Sequence, residues 1–255
     1  MRELLRYRAL VRNLVLKDLK LKYRDSLLGF LWSLMNPLLM LSVYTLAFEY
    51  VLRVQMEDYP YFLLVALLPW QFFASSAQAA TLSISGNAPL IQKVSFPREV
   101  LPISTVLFGL AQLLLALGVL LPAALLAFDR PLPWTAALLP LLLLLHLAFT
   151  LGAAFLLSTL ATFFRDVVHL TEVALVLLFW LTPILYPISM APPWLRLALE
   201  ASPLAAFALA YQDLLFWGRL PEPAVLAMLA AAPPAIFVAG LAVFRRFSGS
   251  FPEAI

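Results

Sequence analysis

Six long runs without a charged side chain constrain this sequence more than any other feature. They occupy residues 26–48, 59–92, 103–128, 131–164, 173–195 and 223–244. A helix needs about 20 mostly apolar residues to cross a hydrocarbon core roughly 30 Å thick, and every run meets that length. The two longest exceed one crossing, so each is read as one helix with flanking interfacial residues. Only 12% of the 255 residues are charged and 64% are hydrophobic, where a soluble domain carries roughly a quarter charged residues. Lipid is the expected solvent.

The basic residues orient these runs. With the start of the chain on the cytoplasmic side, the inner segments hold thirteen Lys/Arg and the outer segments four, while acidic residues divide seven and seven. Basic residues set topology and acidic ones contribute little, so both termini are expected in the cytoplasm. Eight Lys/Arg precede residue 26 with no apolar run of signal-peptide length among them, so no cleavable secretory signal is expected.

Residues 1–25 form an element of their own. Leu4, Tyr7, Leu10, Val11 and Leu14 recur at spacings of three and four, with Arg6, Arg8, Arg12, Lys17 and Lys20 mostly between them. That pattern predicts a basic amphipathic helix lying in the membrane interface rather than crossing it. Residues 26–255 follow as one membrane domain. Its first run opens directly behind the charged stretch Lys22–Asp25, and Asn36-Pro37 is expected to interrupt it. Beyond the fifth run the chain is rich in proline, and the uncharged piece 201–212 is too short to cross. Such a segment suits short re-entrant helices on the outer side, covered by protein or by a water-lined cavity.

Several chemistries are missing. With no cysteine there are no disulfides, thiolate metal sites or cysteine nucleophiles. None of the four lysines follows a glycine, so the phosphate-cradling G-x-x-x-x-G-K-[ST] loop is absent, as are H-E-x-x-H and G-x-S-x-G. No metal, cofactor or nucleic acid is expected on this chain. His146 lies in the fourth run without an acidic neighbour in that run, and is read as a neutral, hydrogen-bonded core histidine. Glu49 is expected to snorkel to water. Any work such a membrane chain performs on a cargo is expected to draw its energy from another protein.

Three stretches carry a family likeness: KYRDSLLGFLWSLMNPLL (22–39), LIQKVSFPREVLP (90–102) and LTPILYPISMAPPWLR (181–196). Together, in this order, they resemble the permease subunits of ABC transporters that export polysaccharides, and the likeness covers the whole chain. The resemblance implies an all-α integral membrane protein with six transmembrane helices, an interfacial helix before them, and outer gate helices between the fifth and sixth spans (183–220). It implies a coupling loop at 88–102, with Leu90, Ile91, Lys93, Phe96, Pro97, Arg98 and Glu99 seated in an ATPase cleft. The outer gate would hold Pro183, Tyr186, Pro187, Trp194, Pro203 and Tyr211. The segment after the sixth span would be a short inner stub.

Further expectations follow from the same likeness. Two copies of an ABC ATPase would bring ATP and Mg, two copies of this chain would enclose a lumen about a twofold axis, and lipid-linked polysaccharide would cross the bacterial inner membrane. Lys22, Arg24, Phe30, Trp32 and Asn36 would line the substrate path. Lys22 and Arg24 either attract a lipid pyrophosphate or anchor the chain to anionic lipid. Phe30 and Trp32 either stack on sugar rings or pack against neighbouring helices and the interface. Two other readings stay open: a permease for small lipids or drugs, and an intramembrane lipid-linked sugar transferase. The latter needs a buried acid–base constellation, for which only His146 is in view.

Overall fold

The computed structural model describes residues 7–23, 31–94 and 96–254, and those residues contain helices and connecting turns but no strand. The leader helix α1 (Arg8–Tyr23) packs along α5, turning Tyr7, Leu10, Val11, Leu14 and Leu19 partly inward while Arg8, Arg12, Lys17 and Lys20 stay exposed. The amphipathic reading of the leader holds over this range; Leu4 and Arg6 lie outside the described residues.

Helix α2 (Leu31–Thr45) runs on as a wider π turn to Val51. It passes through Pro37 rather than breaking there. A proline removes one backbone hydrogen bond, and membrane helices tolerate this where neighbours or water satisfy the freed carbonyl. Helix α3 (Tyr59–Thr81) is the centre of the molecule. From Tyr59 to Phe73 almost every residue is buried, and α2, α5, α6, α7 and α9 all contact it. A helix that is apolar all round belongs inside a bundle. After a short turn come α4 (Ala88–Lys93) and the long α5 (Val100–Ala127).

Helix α6 (Leu139–Phe163) and α10 (Pro223–Phe247) form the most extensive helix pair. They meet where Gly152 and Gly240 let the two backbones touch, the close approach that small residues allow inside membranes. Between them lie α7 (Asp166–Leu181), α8 (Pro193–Glu200) and α9 (Pro203–Gln212), and α9 continues as a π turn to Trp217. The last helix, α11 (Phe251–Ala254), folds back onto α4 and α6.

Among the described residues, five stretches are long and apolar enough to cross a membrane: Leu34–Val51, Tyr59–Thr81, Val100–Ala127, Trp134–Phe163 and Pro223–Ala254. The fifth uncharged run, 173–195, is not one of them. Its helix α7 has 16 residues, about 24 Å at 1.5 Å per residue. It stops at Thr182, which is extended (ψ 137°) ahead of Pro183, because a residue before proline is pushed out of the helical region.

Candidate functional site

Two hollows and one capped end stand out. The first hollow, about 370 Å³, lies between α1, α2, α3 and α5. Its lining includes Lys22 from the last turn of α1, Trp32, Asn36 and Pro37 from α2, Trp70, Gln71 and Ser75 from α3, and Gln112 from α5. No carboxylate among the described residues lines it. The Lys22 ammonium donates to the Gln112 side-chain oxygen and sits 5.8 Å from the centre of the Phe108 ring. Partial desolvation lowers the pKa of Lys22 below the ordinary lysine value, because burial disfavours the charged form. Trp32 keeps 52% of its surface exposed. One cation, three amides, a hydroxyl and two indoles make a lining that can hold hydroxyl-rich rings and an anion together.

The second hollow, about 490 Å³, opens at the Arg245 end. Ile91, Val94, Phe96, Pro97, Arg98 and Glu99 form one wall, and Tyr7, Ser248 and Gly249 the other. Ile91 is buried while Lys93 and Val94 are exposed. Glu99 accepts from Arg245 Nε at 3.1 Å. Beneath this cleft lies a separate cluster of buried side chains: Ile84, Ile91, Leu101, Phe155, Phe244 and Phe251.

The opposite end is held by polar caps. The π turn after α9 leaves carbonyls without helical partners, as any helix end does, and three of them find donors from other elements. Thr135 Oγ1 donates to Leu214 O at 2.6 Å, Tyr61 OH to Leu215 O at 2.7 Å, and Arg130 Nη1 to Phe216 O at 3.1 Å. Arg130 Nε also reaches Asp58 Oδ2 at 2.6 Å, and its guanidinium stacks 4.4 Å from the Phe216 ring centre. Gly218 closes the turn at φ 65°, a left-handed position that favours glycine. Asp213 pairs with Arg219 at 2.7 Å. Burial pushes the Asp213 carboxyl up, and the Arg219 bond pulls it back down.

The ABC-2 type transporter profile matches residues 9–216, most of the chain. This chain belongs to the ABC-2 type transporter membrane family. Among the relatives of this ABC-2 subunit, the O-antigen export system permease protein RfbA of Myxococcus xanthus is 36% identical over 256 residues, covering 100% of this chain and 98% of the relative. RfbA of Klebsiella pneumoniae is 36% identical over 240 residues, or 94% and 92% of the two chains. The polysialic acid transport protein KpsM of Escherichia coli is 29% identical over 99 residues, 38% and 37% of the two chains. Family and helix content together make this a multi-pass membrane transporter subunit.

Within this ABC-2 fold the sequence-expected residues fall into three groups. Lys22, Trp32 and Asn36 share the first hollow, whereas Arg24 and Phe30 lie outside the described residues. Ile91, Phe96, Pro97, Arg98 and Glu99 share the second; Leu90 packs on the buried cluster below it, and Lys93 ends α4 in the open. The outer residues do not converge. Pro183 is buried and its carbonyl accepts from Gln212 Nε2 at 2.8 Å. Tyr186 and Pro187 are half-buried, Trp194 is exposed, and Pro203 starts α9. Tyr211 is fully buried, 3.3 Å from Nδ1 of His146. His146 stacks on Phe207 with ring centres 4.3 Å apart, inside the core.

Sequence reasoning missed Gln71 and Gln112. Both are polar side chains inside uncharged runs, and intramembrane polar groups tend to mark pathways, so the signal was present. It also missed Phe251, whose burial no local pattern announces.

Proposed function

We propose that this chain is the channel-forming subunit of an ABC exporter that moves lipid-linked polysaccharide, O-antigen-like, across the bacterial inner membrane. One observation carries the reading: a hollow lined by indoles, amides and a single lysine, in a chain alike over nearly its full length to O-antigen export permeases. Loose stacking of rings on Trp32 and Trp70 demands no single hydroxyl pattern, which suits a polymer that must keep sliding. Lys22 supplies the charge that a lipid phosphate or pyrophosphate seeks.

In this reading α7 and the turn behind it complete a sixth crossing, and both termini face the cytoplasm. The segment 88–102 is the coupling loop, and α8 and α9 are the outer gate helices. Two copies enclose the lumen, since one bundle offers only a one-sided groove. The chain performs no chemistry itself. Two ATPase subunits bind ATP and Mg, and their differential contact with the two channel states moves the population from closed to open. A complete swing takes about 5.5 kcal/mol.

The test is reconstitution with the cognate ATPase in vesicles, offering lipid-linked O-polysaccharide, a short-chain lipid-linked sugar, and a lipophilic dye. ATP-dependent export of the polymer supports the proposal. Transport of the dye alone, or chemical conversion of the lipid-linked sugar without an ATPase, overturns it. Phe96→Ala and Arg98→Ala probe the coupling loop in the same vesicles: intact assembly with normal export in both removes that assignment.

A further inference from the structure

Helix α4 has six residues, too few to hold its shape without tertiary support, and only one of them, Ile91, is buried. Behind it, residues 94 and 96–99 are not helical, and the next helix starts at Val100. Something else must hold the 88–99 segment. Leu90, Ile91 and Phe96 pack on a buried cluster that includes Leu101 and Phe155, and two further anchors come from the end of α10 and the segment behind it. Phe251 is fully buried in the same cluster as Ile91, and α11 contacts α4 directly. Its ring meets Phe244 edge-on with centres 5.2 Å apart and lies 6.0 Å from Phe163 of α6. At the other end of the segment, Arg245 grips Glu99 at 3.1 Å, and the Glu99 side chain is only 15% exposed.

These anchors lead to the most extensive helix pair of the molecule. Arg245 and Phe244 sit in the last turns of α10, and α10 is locked onto α6 through Gly152 and Gly240. A push on the 88–99 segment therefore reaches α10 and α6 through a ring and an ion pair, and does not dissipate in a loose loop.

Building on the transport reading above, we propose that residues 245–254 are a clamp on the coupling segment: Phe251 and Arg245 are positioning residues that make the partner's stroke move α10 and α6. They need not touch the partner themselves. Without the clamp, the partner still binds and turns over ATP, but its stroke is spent on moving a short helix.

The chain contains no cysteine, so an introduced pair can be spin-labelled cleanly. Labels at Lys93→Cys and Arg246→Cys, both exposed, report the clamp in the full-length protein without any ATPase. We expect one narrow distance distribution in the parent, broadened by Phe251→Ala or Arg245→Glu and restored by Phe251→Leu or by Arg245→Glu with Glu99→Arg. In vesicles with the ATPase, the broadened variants should hydrolyse ATP but export about fivefold less polymer per ATP, the lower range of ordinary coupling. Phe251→Leu should recover that ratio. Unchanged distances in Phe251→Ala and Arg245→Glu overturn the clamp, as does broadening without any change in polymer per ATP. A labelled parent that shows the narrow distribution but exports no polymer with the ATPase would instead count against the transport reading and leave the clamp standing.

Discussion

Gly152 on α6 and Gly240 on α10 stand backbone against backbone. A methyl group at residue 152 would lie 2.5 Å from the Ile236 carbonyl carbon and 2.6 Å from the Phe237 nitrogen, and one at residue 240 would lie 2.9 Å from the Gly152 carbonyl carbon. These obstacles are main chain and cannot rotate away. Gly152→Ala should therefore push the helices apart at a cost of about 1–3 kcal/mol, the usual penalty for overpacking. Gly118 in α5 is the control, with nothing within 4 Å of an added methyl; Gly118→Ala should be neutral or stabilising by up to about 1 kcal/mol. Thermal unfolding in one detergent, followed by tryptophan fluorescence, separates the two. Equal melting of both variants would refute the contact.

His146 and Tyr211 make a second test, because they join α6 to α9 in the interior. His146 Nδ1 and the Tyr211 hydroxyl oxygen stand 3.3 Å apart, and Phe72, Phe73 and Phe207 surround the imidazole. His146→Leu strands the buried Tyr211 hydroxyl, and a buried unsatisfied group costs about 1–3 kcal/mol. Adding Tyr211→Phe removes the stranded group, since replacing both partners by apolar ones is close to neutral. The double variant should thus be more stable than His146→Leu alone, a coupling that a double-mutant cycle measures directly. A strictly additive cycle would show that the two side chains do not act together.

At the far end, Arg130 is used for its shape as much as for its charge. Nε serves Asp58, Nη1 serves the Phe216 carbonyl, and the plane stacks on Phe216. A lysine keeps the charge but not the fork. Arg130→Lys should lose about 1.5–3 kcal/mol, the worth of hydrogen bonds to a charged group, and should increase proteolytic cleavage near residues 213–219. Protection equal to the parent would show that a point charge suffices there.

Much of this molecule is legible in its charges and prolines. Five of the six uncharged runs became helices long enough to cross, and the leader's stripe of Tyr7, Leu10, Val11 and Leu14 does face inward. At 173–195 the helix is shorter than the uncharged run, because a run says nothing of where a helix must end, and Thr182-Pro183 ends α7 early. The expected interruption at Pro37 erred in the opposite sense, because a single lost hydrogen bond did not stop α2. Lys22, Trp32 and Asn36 were expected near one another from their place in the chain, and they do share a hollow. Their partners Gln71 and Gln112 are 41 residues apart and meet only through the packing of α3 on α5. Tyr211 reads as an outer-gate tyrosine in sequence; it is buried against His146, 65 residues earlier.

The Lys22–Gln112 contact yields the last prediction. Among the described residues, Lys22 is the only basic side chain lining its hollow, and partial desolvation already lowers its pKa from the usual 10.5. A group whose folded pKa is lowered gives up its proton earlier as pH rises. Attraction for an anionic lipid headgroup should therefore fade on the alkaline side before an exposed lysine would titrate. Lys22→Gln removes the charge at every pH and should weaken binding of a lipid-linked pyrophosphate about tenfold, a loss of about 1.4 kcal/mol. Lys22→Arg keeps a charge that does not titrate in this range, so its affinity should stay level as pH approaches 10.5. Gln112→Ala frees the ammonium from its present acceptor and should leave binding intact or strengthen it. Affinity measured in nanodiscs across the pH series decides the matter: parallel curves for Lys22 and Lys22→Arg would show that the headgroup does not meet this side chain.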